Sequence, residues 1–246
     1  MRRLPALAMM LAVGWVFQST SGAADDHVVW GCEDAGYTGE TREYWHAVLG
    51  DDIEYKTLVL RVPSGGGKIE ASLELPPGQV FEDIAPRCGD LDGDGVDEVV
   101  TVISDAIGGA RLAVFSPTRG PVAETPPIGQ GNRWLAPIGI GDLDGDGVNE
   151  VAYVDRPHLA GVLRVWKLKD GKLAQIASAS RFSNHRIGED FITGGVRDCG
   201  DGATLVLPNF EWSALMQVRL RGGDLEAREI IGNTSPDAVA RALECN

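Results

Sequence analysis

With 246 residues, 36 acids and 22 Lys/Arg, the chain carries a formal net charge of −14. That length allows one full core or one closed repeat array. The acid excess argues against nucleic acid and anionic membrane surfaces as partners. The four cysteines, widely spaced and without a CxxC, exclude a Cys-ligated metal centre.

The chain opens on a processing signal. Arg2 and Arg3 form a positive n-region, Leu4–Phe17 an apolar stretch and Ser19–Ala24 a small-residue exit, so residues 1–24 read as a signal peptide cleaved after Ala24. Losing Arg2 and Arg3 takes the charge from −14 to −16. The apolar stretch is short for a span, Asp25-Asp26 follow at once, and no later window approaches ~18 apolar residues. Residues 25–246 are therefore expected as one exported domain, periplasmic or secreted, monomeric and without a membrane span.

An oxidising compartment makes two disulfides the default for Cys32, Cys88, Cys199 and Cys245. Of the three connectivities, Cys32–Cys88 with Cys199–Cys245 is preferred, because it ties each chain end to a repeat.

Val28–Trp30, Tyr44–Leu49, Tyr55–Val62 and Lys68–Leu75 read as strands, with a hairpin turn at Ser64–Gly67. SGGGK is not a phosphate loop: Val62 stands where the first glycine belongs, and Ile69 replaces the Ser/Thr. Next comes Gly89–Val99, GDLDGDGVDEV, feeding a strand Val99–Ser104 that turns into Arg111–Phe115. A proline-rich connection, Pro117–Pro127, crosses to Trp134–Ile140. The loop then returns at Gly141–Val151 as GDLDGDGVNEV, followed by strands Val151–Asp155, Val162–Leu168 and Leu173–Ala177. A decayed third copy, Asp198-Cys199-Gly200-Asp201-Gly202, precedes Ala203–Leu207, Leu215–Arg221 and Leu225–Ile231. It keeps two acids and is not expected to hold a metal. Ser235-Pro236-Asp237 starts a short helix with an N-cap serine and Pro at N1.

In each intact loop, oxygen-bearing residues fall at positions 1, 3, 5 and 9: Asp90, Asp92, Asp94 and Glu98, then Asp142, Asp144, Asp146 and Glu150. Four like charges so close together repel unless a cation lies between them. A hard cation such as Ca²⁺ takes six to eight oxygens in a tolerant geometry. The four carboxylates, the carbonyl of Val96 or Val148 and water supply them, so two structural Ca²⁺ sites are expected. An EF-hand is excluded because position 12 is Thr101 or Tyr153 where a bidentate Glu is required, and because strands, not helices, follow.

An acidic loop feeding a strand resembles the FG-GAP or VCBS repeat, the unit of the integrin-α-like β-propeller family. The match covers the two loops and the strand after each, about a tenth of the chain. The resemblance implies a propeller in which each loop holds Ca²⁺ between two strands of a blade. Strand pairs end near Leu60, Phe115, Trp166 and Val218, at intervals of 55, 51 and 52 residues, a period fitting blades built from short strands. The expectation is an all-β chain: a small β-propeller of about four blades with two calcium loops and a short C-terminal helix. The family's usual seven-bladed ring needs more chain than is present, so its binding surfaces do not transfer.

Catalytic signatures such as GxSxG or HExxH are absent. His27, His46, His158 and His185 stand in separate segments and read as surface or turn residues. Trp30, Trp45, Trp134 and Trp166 read as blade packing, and Trp212 as the candidate exposed platform. The functional expectation is a non-enzymatic, calcium-stabilised module binding a protein or glycan ligand. The alternative is a hydrolase or lyase acting on polysaccharide or phosphoester from a propeller face. Convergence of histidines with acids in one depression would favour the enzyme.

Overall fold

The structure, a computed structural model, describes residues 16–18, 32–64 and 67–245. Most of the expected leader, the Val28–Trp30 strand, His27 and Trp30 lie outside them. Among the described residues the chain is all-β with one short α-helix and forms three antiparallel sheets, none closed on itself.

The first sheet has nine strands: β1 (Val16–Gln18), β2 (Ala35–Thr41), β3 (Glu54–Ser64), β4 (Gly67–Glu74), β5 (Gln79–Phe81), β6 (Arg87–Gly89), β7 (Glu98–Asp105), β8 (Gly109–Ser116) and β9 (Gly120–Glu124). The second is a meander of β10 (Leu135–Gly141), β11 (Glu150–Asp155), β12 (Val162–Lys169) and β13 (Lys172–Ser180). The third repeats it with β14 (Gly195–Asp198), β15 (Ala203–Pro208), β16 (Leu215–Arg221) and β17 (Asp224–Ile231). Helix α1 (Pro236–Leu243) follows, its first turn closed by the Ser235 side chain accepting from the Ala238 N–H, and packs on Val206 and Leu215.

Both β5 and β6 pair with β7, at Ile103–Asp105 and at Glu98–Val100 respectively. They are one strand interrupted at residues 82–86, and the interruption carries Glu82 and Asp83 into the interior. A single pair, Tyr55 with Phe81, joins β3 to this strand. The expected first unit is thus hydrogen-bonded into the sheet of the second rather than standing as a separate blade.

The middle strands read as unbroken apolar runs because both of their faces are covered. Successive residues of a strand point to opposite faces, and β11 shows the result. Val151 and Tyr153 pack with Val100, Val102, Leu112 and Val114 of the first sheet. Ala152 and Val154 pack with Leu205, Leu207 and Val218 of the third. The meanders therefore stack face to face. Their first strands, β6, β10 and β14, adjoin one another, as do their last, β9, β13 and β17. The close approach of the first strands depends on glycine. A Cβ on Gly89 would stand 2.6 Å from Ile140, and Cβ atoms on Gly139 and Gly141 would stand 2.8 and 2.9 Å from Val196.

Both disulfides form as expected, Cys32–Cys88 and Cys199–Cys245. Three local expectations change. Tyr44–Leu49 is irregular, and the strand before β3 is Ala35–Thr41. The proline-rich connection contains β9. Trp45 is not packed but 79 % exposed, whereas Trp134 and Trp166 are buried. Trp212 is half-buried, and the Arg186 guanidinium lies 3.9 Å from its ring centroid. Among the described residues no helix is long and apolar enough to cross a membrane.

Candidate metal loops and a histidine pocket

The two intact loops fold alike. Gly93 and Gly95 donate their N–H groups to Asp90 at 2.7 and 2.9 Å, and Gly145 and Gly147 donate to Asp142 at 2.8 and 3.0 Å. All four glycines have φ between 78° and 90°, a region side chains rarely enter. The chain therefore curls around its first aspartate. One carboxylate oxygen from each of Asp90, Asp92 and Asp94 lies within 4.8 Å of the others, and Asp142, Asp144 and Asp146 form the same cluster.

The position-9 glutamates begin β7 and β11 and are fully buried. One oxygen of Glu98 accepts the Leu91 N–H at 3.1 Å, and one of Glu150 accepts the Leu143 N–H at 2.9 Å. Burial raises both carboxyls above their ordinary range, and the neighbouring aspartates add to the effect. Val96 and Val148 enter the loops through N–H bonds to Asp94 and Asp146, at 2.9 and 3.1 Å.

A basic side chain closes each cluster. Lys167, opposite Glu150 in the β11–β12 register, places Nζ 3.0 Å from Asp144, 2.8 Å from Asp146 and 2.5 Å from Glu150. Its pKa rises accordingly, the three carboxylate bonds outweighing its desolvation. In the first loop the equivalent register position is Ser116. Arg119, three residues on, reaches back to Asp92, Asp94 and Glu98 at 2.7, 3.3 and 3.0 Å. In the decayed loop Arg219 holds the Asp201 carboxylate and, at 2.9 Å, its carbonyl. One positive centre thus sits among three carboxylates in each intact loop. Sequence reasoning found the acids but not these bases, which lie 17 to 21 residues beyond the position-9 glutamates.

The two loops also touch. Asn149, the one difference between the copies, donates Nδ2 to the Asp90 carbonyl at 2.9 Å. An aspartate at that position would present an oxygen to an oxygen.

Antiparallel connections alternate between the two ends of a sheet. The loops lie at the β10-to-β11 end, and the β11–β12 turn lies at the other. There, residues from four connections line a cavity of about 230 Å³. His46 and His158 both face it from connections between strands, in keeping with the surface-or-turn reading, whereas His185 is fully buried. His46 Nδ1 meets Glu82 Oε1 at 2.6 Å, and the fully buried Glu82 also accepts from Ser104 Oγ at 2.5 Å. His158 Nε2 lies 3.0 Å from Nδ1 of the buried His185, whose Nε2 lies 2.8 Å from the Glu189 carbonyl. A carbonyl only accepts, so His185 carries its proton on Nε2 and accepts at Nδ1. His158 therefore donates through Nε2 and keeps a lone pair at Nδ1. Burial, with His185 and His46 nearby, pushes its pKa down to about 4, so the ring is neutral at physiological pH. Buried Glu54, flanked by Glu82, Asp51 and Asp83, is pushed up to about 9.

Compared with known proteins, the chain matches no family model, and no curated protein is similar to it in sequence. Among solved structures it is similar to rhamnogalacturonan lyase YesW, at 17 % identity and a TM-score of 0.45 over 74 % of this chain. It is also similar to the exotype rhamnogalacturonan lyase YesX, at 15 % identity and a TM-score of 0.43 over 70 %. It spans 43 % and 40 % of those chains, less than half of either.

Proposed function

We propose that this chain is an exported, calcium-stabilised β-propeller module of the FG-GAP/VCBS kind, non-enzymatic, which presents a face to a protein or glycan ligand. The observation that carries this reading is the paired clustering of Asp90, Asp92 and Asp94 and of Asp142, Asp144 and Asp146 in touching loops of adjoining sheets. The donor set is all oxygen, which suits a hard cation. Asp90, Asp92, Asp94, Glu98 and the Val96 carbonyl would hold one Ca²⁺; Asp142, Asp144, Asp146, Glu150 and the Val148 carbonyl would hold the other. Bound ions would supply positive charge in place of Arg119 and Lys167 and would pin the start of β7 and β11.

The side-by-side order of the first strands and of the last strands supports blade-like stacking of three meanders; in the proposed ring β2–β4, though joined to the first meander through Tyr55 and Phe81, would serve as the fourth. Equilibrium dialysis tests the metal reading. Two Ca²⁺ per chain are expected, falling to one in Asp92→Ala and in Asp144→Ala; no retained ion would refute it.

A second reading has one specific support. His46 and His158 line the cavity, each bonded to a buried partner behind it, Glu82 and His185, and such rings would suit proton transfer in a hydrolase or lyase acting on polysaccharide or phosphoester. Turnover of such a substrate by the wild type, lost in His46→Gln, would favour that reading.

A further inference from the structure

The cavity at the end remote from the metal loops is built against the charge of the molecule. In a chain of net charge −14, none of its lining residues is an acid. Arg133 lines it, half-buried, donating to the Asn132 carbonyl at 2.8 Å and with no carboxylate partner among the described residues. Arg156 lines it too, and Asp155 is its counter-ion at 2.8 Å. That carboxylate is shared with Arg164, also at 2.8 Å, so two guanidiniums face one negative charge. The acid directly behind the lining, the buried Glu82, is held by His46 and Ser104. The sum is a local positive excess, and guanidinium forks match planar oxyanions.

The rest of the lining defines the body of a guest. Trp134 and Val48 make a buried apolar floor, and Leu159 and Ile187 an exposed apolar rim. A volume of about 230 Å³ exceeds the roughly 150 Å³ that admits benzene. The lone pair left at His158 Nδ1 is available to a hydrogen-bond donor, and Glu82 fixes the His46 ring so that Nε2 is the nitrogen left for a ligand.

We propose that this cavity binds a small hydroxy acid: one carboxylate between Arg133 and Arg156, one hydroxyl donating to His158, and a body of monocyclic size over Trp134. The site is independent of the metal loops and stands or falls separately from them.

Calorimetric titration tests it with three probes, each in EDTA and in Ca²⁺: mandelate, phenylacetate, which lacks the hydroxyl, and 1-phenylethane-1,2-diol, which lacks the charge. Mandelate should bind tightest, in either buffer. Arg133→Ala, at a half-buried position, should weaken mandelate about tenfold while the melting curve stays unchanged. His158→Phe should remove the preference for mandelate over phenylacetate. Diol binding equal to that of mandelate, full affinity in Arg133→Ala, or no mandelate heat up to about 10 mM would each overturn the proposal.

Discussion

Lys167 shows how much a single side chain decides in this molecule. Its ammonium meets the carboxylates at positions 3, 5 and 9 of the second loop, which a bound cation would also need. Replacing it by Met removes a competitor and leaves the acids uncompensated. Lys167→Met should therefore bind Ca²⁺ about tenfold tighter by calorimetry and melt lower than wild type in EDTA. Weaker Ca²⁺ binding would show that Lys167 assists the metal instead.

Glu54 gives a second test at the same scale. The unfolded chain ionises this residue near its ordinary value of 4.5, whereas the native state holds the proton to about 9. Between those values the native state binds more protons, so raising the pH works against folding. The cost at pH 7 is on the order of 3 kcal/mol, at about 1.36 kcal/mol per unit. Glu54→Gln stays neutral and should be the more stable protein in urea titrations, by a margin that grows from about pH 5 to pH 9. A margin that is constant with pH would contradict the buried neutral acid. The acids of the loops were legible because ligand spacing is local in sequence. Glu54 was not, because both its burial and the neighbouring charges of Glu82 and Asp83 arise from residues distant in sequence.

Among the elements, the strands next to the loops were readable from β-branched runs, and α1 from its cap. The glycines of β10 carried a different message. Gly139 and Gly141 let β14 approach until Val196 fills the space a Cβ would take. Gly141→Val should destabilise the chain by about 1–3 kcal/mol through overpacking, read as a lower urea midpoint. Unchanged stability would mean that the first strands are not held at this separation. The loops depend on a similar contact. Asn149→Asp turns the donor to the Asp90 carbonyl into an acceptor and should cost about 1–3 kcal/mol. Tyr44–Leu49 misled because its apolar residues serve the pocket rather than a sheet: Val48 lines the cavity, and the Tyr44 hydroxyl accepts the Asn132 N–H at 3.0 Å. The strand β9 was hidden by the prolines in and around it, although four of its five residues pair with β8 about a bulge.

For the whole molecule, the stacked meanders separate two kinds of chemistry. Acidic loops lie at one end, and the cavity lined by Arg133, Arg156, His46 and His158 lies at the other. The period near 52 residues made the repeated meanders visible, but hydrogen bonding through Tyr55 and Phe81 fuses the N-terminal strands into the next sheet, which no period reveals. Nor does any sequence spacing bring His46, His158 and His185 together; the alternation of connections between sheet ends does.

The most direct test of the metal reading is the melting temperature of the disulfide-intact chain in EDTA and in saturating Ca²⁺. A site filled at about a hundred times its dissociation constant adds roughly 2.7 kcal/mol, which for a chain of this size raises Tm by about 5–10 °C. Asp92→Ala and Asp144→Ala should each remove part of that rise. Superimposable curves in the two buffers would contradict the account.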